Sequence, residues 1–105
     1  MDLDPIRTVF WETFRHLFPP HARAAQTGSG ALMISWSMKG DPSAVFPYAT
    51  PITLRFESEL IKAMQDAGLD ERLRIAKAQE AAVKSGMVGY DPFAAVPKAR
   101  VIVIG

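Results

Sequence analysis

At 105 residues the chain fits one domain of ordinary size and leaves no room for a second core. Twelve basic residues against eleven acidic give a formal charge of +1, which argues against a polyanionic partner such as a nucleic-acid backbone or an anionic membrane surface. The complete lack of cysteine excludes disulfides, thiolate chemistry and Cys-ligated zinc, and fits a reducing, cytoplasmic compartment of bacterial type.

The opening stretch MDLDPIRTVFWETF carries acids where a signal peptide needs bases, so it reads as folded protein. Asp4 is a good N-cap and Pro5 suits the first helical position. Ile6, Val9, Phe10, Phe14, Leu17 and Phe18 recur at helical spacing until Pro19-Pro20 ends the run, with Trp11 at the edge of the stripe and Glu12, Arg15 and His16 opposite. After Gly28-Ser29-Gly30, the segment 31–38 alternates, with Leu32, Ile34, Trp36 and Met38 on one face and Met33, Ser35 and Ser37 on the other. That is a half-buried strand. Residues 39–51 hold three prolines and read as a long loop.

Ile52, Leu54 and Phe56 predict a second strand, and Leu60, Ile61 and Met64 a helix over 57–67 closed by Gly68. Asp70 is placed to cap a further alanine-rich helix reaching Ser85, apolar on two sides, with Gly86 closing it. A turn-rich link then leads to Val101-Ile102-Val103-Ile104, a strand apolar on both faces. No apolar run approaches the 18 residues of a membrane-spanning helix.

The order α-β-β-α-α-β predicts a single α+β domain over 1–105: a small three-stranded sheet, mixed if the last connection is a crossover, with helices packed on it. Phe10, Phe14, Trp36, Leu54, Phe56 and Ile102 are expected to share its core. A right-handed parallel crossover would leave the C-terminal strand central and buried on both faces. The competing solution leaves one sheet face open, to be covered by self-association.

Chemistry-bearing patterns are sparse. Gly28-Ser29-Gly30 precedes a strand, whereas a phosphate loop must open a helix whose N–H groups converge on the anion, so these glycines read as a turn. Glu12 and His16 are spaced i,i+4 and, joined by His21 and by Arg55, are the candidates for general acid–base chemistry or a ligand site. Their simpler reading is a solvated surface pair. No serine lies in a nucleophile-elbow or S-x-x-K context. The stretch 57–85 has the outline of a helix-turn-helix, with Arg72, Arg74 and Lys77 as the cationic candidates, but Asp70 and Glu71 in the first turn would repel phosphates.

The remaining candidates are partner-binding: Phe46 and Tyr48 in one loop, Tyr90 and Phe93 in the other, and Met33 and Ser35 on the outer strand face. The leading expectation is a non-catalytic module that binds a protein partner or a second copy of itself, using no cofactor and no metal. A small enzyme or ligand-binding domain is the alternative, and a nucleic-acid binder the third reading.

Overall fold

Asp4 begins the first helix as its sequence requires: its carboxylate accepts the Arg7 backbone N–H at 2.8 Å, with Pro5 in the first turn. The computed structural model describes residues 3–38, 49–90 and 100–105. Helix α1 spans Pro5–Phe14 and buries Ile6, Phe10, Trp11 and Phe14. A 3₁₀ turn at Arg15–Leu17 then carries the chain to the paired prolines.

The first strand, β1 (Arg23–Gln26), was not expected from the sequence. Two alanines, an arginine and a glutamine have little intrinsic strand preference and show no alternation. A hairpin turn imposes the strand. Thr27 N–H donates to Ala31 O at 2.9 Å, Gly30 N–H to Thr27 O at 3.0 Å, and Ala31 N–H to Thr27 Oγ1 at 3.1 Å. Gly30 sits at φ +84, where a side chain would be strained. β2 (Leu32–Ser35) runs antiparallel to β1, with Ala24 opposite Ile34. The glycine-serine-glycine run is thus a turn.

β3 (Ile52–Phe56) pairs antiparallel with β2. Three helices follow: α2 (Ser58–Asp66), α3 (Leu69–Ala78) and α4 (Glu80–Gly86). β4 (Arg100–Ile104) then lies parallel to β3, with Leu54 opposite Ile102. The result is α+β, with a mixed sheet in the order β1-β2-β3-β4.

The expected strand number is corrected: among the described residues the sheet has four strands rather than three. Of the two placements left open for the C-terminal strand, the central one is not the one found, since β4 lies at the edge. The parallel crossover is present, but β2 already occupies the other side of β3, so β4 can add only outside. The single helix expected over 70–85 is also two. It starts from Gly68 and breaks at Gln79, which lets α3 pack on α1 while α4 packs on β4.

One sheet face carries the helices. Leu32, Ile34, Ile52 and Leu54 are fully buried there, with Ile102 and Ile104 beside them. Phe10 stacks on Phe56 at 4.4 Å between centroids and on Phe14 at 5.8 Å. The six residues expected to share a core do so, five buried outright and Phe56 packed against them. Trp36 and Tyr90 meet edge-on at 6.0 Å. The Tyr90 hydroxyl donates to the Thr50 carbonyl, tying the end of the helical layer to the approach of β3.

Candidate functional site

Among the described residues no helix covers the opposite sheet face. Alternation places Ala25, Met33, Thr53 and Val101 in one row across the four strands, with Arg55 and Val103 in the next. Val101 and Val103 are 51% and 53% exposed, and Met33, across Thr53 from Val101, is 41% exposed, high for large apolar side chains on one face. None of the four strands among the described residues contains an acidic residue. The apolarity that suggested double burial of β4 is therefore divided, Ile102 and Ile104 inward, Val101 and Val103 outward.

The edge of β4 can be read residue by residue. Arg100 N–H donates to Pro51 O at 2.9 Å and Ile104 O accepts from Glu57 N–H at 2.8 Å, so the even-numbered residues turn their backbone groups towards β3. Val101 and Val103 consequently aim theirs at the free edge, since N–H and C=O directions alternate along a strand. Apart from Arg100 at its start, whose guanidinium donates to the Gly86 and Val88 carbonyls at 3.2 Å, β4 contains no charge, proline or bulge. Those are the devices by which edges are ordinarily protected.

A second region lies where α1 gives way to the proline pair. A hollow of about 450 Å³ is bounded by Trp11, Arg15, Pro20, His21 and Arg23. A neighbouring one of about 390 Å³ shares Trp11, Arg15 and Pro20 and adds His16 and Pro19. Glu12 and His16 do not pair with each other. Glu12 faces Arg15 at 3.4 Å, and His16 Nε2 lies 3.9 Å from Glu80 Oε1. His21 Nε2 is 3.1 Å from the Ser37 carbonyl, an acceptor only, so that nitrogen carries the proton and donates.

Arg55 lies elsewhere, in a smaller hollow with Arg7, Ser29 and Phe56. The four candidate catalytic residues therefore do not converge on one hollow. No three metal-ligating side chains cluster among the described residues.

Two of the three cations of the helix-turn-helix outline are engaged within the fold. Arg72 donates to the Met64 and Gln65 carbonyls at 2.6 and 3.3 Å, closing the C-terminus of α2. Arg74 forms a two-pronged pair with Glu71; the hydrogen bonds, and then the charge, hold that carboxyl below the ordinary glutamate range. Lys77 is exposed in the last turn of α3. Among the partner candidates, Tyr90 is half-buried against Trp36, Ser35 is half-buried and Met33 is exposed. Phe46, Tyr48 and Phe93 lie outside the described residues. No helix among the described residues is long and apolar enough to cross a membrane.

The chain matches no protein-family model, no curated protein sequence and no solved structure. The functional reading therefore rests on the sheet edge, the sheet face and the hollows beside α1. The sequence marked Met33 and Ser35 and set one half of the C-terminal strand beside them, but not that this half is Val101 and Val103, because a run of four apolar residues does not say which of its two faces is covered.

Proposed function

We propose that this chain is a non-catalytic protein-interaction module whose docking element is β4, and that the partner it takes is a second copy of itself. The observation that carries the reading is the outer edge of β4, apolar and unpaired among the described residues, with the backbone groups of Val101 and Val103 directed outward. A two-fold axis at Ile102 sets Val101 of one copy opposite Val103 of the other. Each such pair exchanges both of its N–H···O bonds, as an antiparallel ladder allows.

The half-exposed valines then cover one another on the open face. Charge supports edge pairing over face-to-face stacking, which would bring Arg23 and Arg55 of two copies together with no carboxylate on any of the described strands to neutralise them. In the edge-paired sheet, Arg55 of each copy stands roughly 16 Å from its mate, three strand spacings across and two residues along, beyond the screening length at physiological salt.

Sedimentation equilibrium at micromolar concentration tests the reading. The expected mass is twice the 11.5 kDa of one chain. Val103→Pro removes an outward N–H without breaking the β3–β4 ladder and is expected to return the mass to that of one chain with far-UV circular dichroism unchanged. Val103→Lys, which charges the edge, is expected to do the same. A single-chain mass for the wild-type protein throughout the micromolar range overturns the proposal.

A further inference from the structure

We infer that the outer edge of β1 takes an extended segment of a partner protein as an added strand, one that turns an apolar side chain towards α1 and an acidic one towards Arg23. The inference does not depend on β4, which lies at the opposite border of the sheet. The direction of the backbone groups of β1 follows from its hairpin. Thr27 N–H donates to Ala31 O at 2.9 Å, so by alternation Ala25 and Arg23 turn theirs towards β2. Ala24 and Gln26 then aim theirs outward, where no strand pairs with them among the described residues. One added strand satisfies both, as in peptides that extend an exposed sheet edge.

The hollow of about 450 Å³ supplies the second half of the fit. Leu3, Trp11 and Pro20 bound it on one side and Ala22, Arg23 and Ala24 on the other, with no residue of β2 among its walls. It therefore lies off the outer edge of β1. Ala24 shares its sheet face with the buried Ile34, towards the helices, and its single methyl does not reach across the hollow. A residue of the added strand opposite Ala24 points the same way. A leucine-sized side chain there is buried against Trp11, which is 9% exposed and braced by Phe18 at 5.8 Å between centroids. The far end of β1 is tied to the start of α1: the Gln26 side chain accepts the Asp4 N–H at 2.9 Å and donates to the Asp4 carboxylate at 3.2 Å.

Charge selects the occupant. Arg23 stands on the open sheet face beside Ser35, exposed, with no hydrogen bond or ion pair among the described residues. The residue opposite it on the added strand also faces outward, and a carboxylate there forms a cross-strand pair. None of the four described strands carries an acid, so none of them offers that partner. A second copy docking through its own β1 fares worse still. Two-fold pairing centred on Ala24 sets the two Arg23 side chains on one face as diagonal neighbours, about 7–8 Å apart. The cation that repels a copy favours an acidic strand.

The test is a titration of the full ¹⁵N-labelled chain to about 5 mM with an acetylated, amidated peptide of sequence EVELEVE. Its controls are KVKLKVK, and EVELEVE with the leucine nitrogen methylated. The expected result with EVELEVE is saturable movement of the Trp11 indole N–H and of the Ala24 and Gln26 amides. Hydrogen exchange is expected to slow at those two amides and not at Ala25, whose bond is already made. Both controls are expected to bind about fivefold more weakly. Arg23→Glu, at an exposed position, is expected to reverse the preference between the two charged peptides while leaving the remaining spectrum in place. No saturable shift, equal binding of either control, an unchanged preference in Arg23→Glu, or slowed exchange confined to Val101 and Val103 would each overturn the inference. So would slowed exchange at Ala24 and Gln26 that grows with protein concentration alone, because a second copy then holds the edge.

Discussion

Gly86 and Ile102 approach so closely that a β-carbon on the glycine would stand 2.6 Å from Ile102 Cγ2 and 2.8 Å from its Cγ1. The glycine lies in the last turn of α4, and the isoleucine is the buried centre of β4. This contact lets the helix settle directly on the edge strand. Gly86→Ala raises intrinsic helix preference by about 1 kcal/mol, yet both clashing atoms are the first carbons of a stiff, β-branched side chain. The overpacking is expected to win, with a net loss of about 1–2 kcal/mol. A urea midpoint at or above that of the wild type would show that the helix can slide away.

Phe14 is wholly buried and stacks on Phe10 beneath the sheet. Phe14→Ala is expected to cost about 3–5 kcal/mol, the lost transfer energy together with the cavity left behind. In a domain of this size that is a large part of the total stability. Chemical denaturation measures it, and a loss below about 1 kcal/mol would contradict the core described here.

The double variant Glu12→Ala/His16→Ala removes two exposed ion-pair partners that face Arg15 and Glu80 rather than each other. Stability is expected to change by less than about 1 kcal/mol. Loss of a bound divalent metal or of any turnover in that variant would instead restore the enzymatic reading.

Thr50 is 5% exposed, and among the described residues its hydroxyl finds no hydrogen-bond partner. Its backbone carbonyl is taken by the Tyr90 hydroxyl, a bond that substitution of the side chain leaves alone. Thr50→Val keeps the shape and removes the unpaired oxygen. It is expected to stabilise the fold by about 1 kcal/mol, raising the thermal midpoint by several degrees. A lowered midpoint would mean that the hydroxyl is satisfied in solution.

The elements legible in the sequence were those marked by bulky apolar spacing or capping chemistry. The Asp4-Pro5 start, the Leu32–Ile34–Trp36 alternation and the Ile52–Leu54–Phe56 alternation all come out as read. β1 escaped because its pairing is dictated by the Thr27–Gly30 turn and by Ile34 across the ladder, neither of which marks the residues of β1 themselves. The break at Gln79 escaped because an alanine-rich stretch carries no single stripe to interrupt. Of the residues around the hollows beside α1 the sequence supplied His16 and His21 but not Arg23, which reaches their rim only through the unforeseen strand. The bland reading of Glu12 and His16 as surface groups fits their exposure; which groups they face was beyond sequence spacing.

The pairing of Ile52 with Arg100 has a bearing on the order of assembly. The β1–β2 hairpin closes through a turn of a few residues, whereas β4 must return past three helices before it meets β3. Closing so long a loop costs entropy that is recovered only when the strand docks. The hairpin with its flanking helix is therefore expected to form ahead of the C-terminal strand, and until β4 arrives β3 remains an unsealed apolar border. Pulse-labelled hydrogen exchange during refolding is expected to protect the Leu32–Ser35 amides before those of Ile102 and Ile104. The reverse order would place β4 in the nucleus.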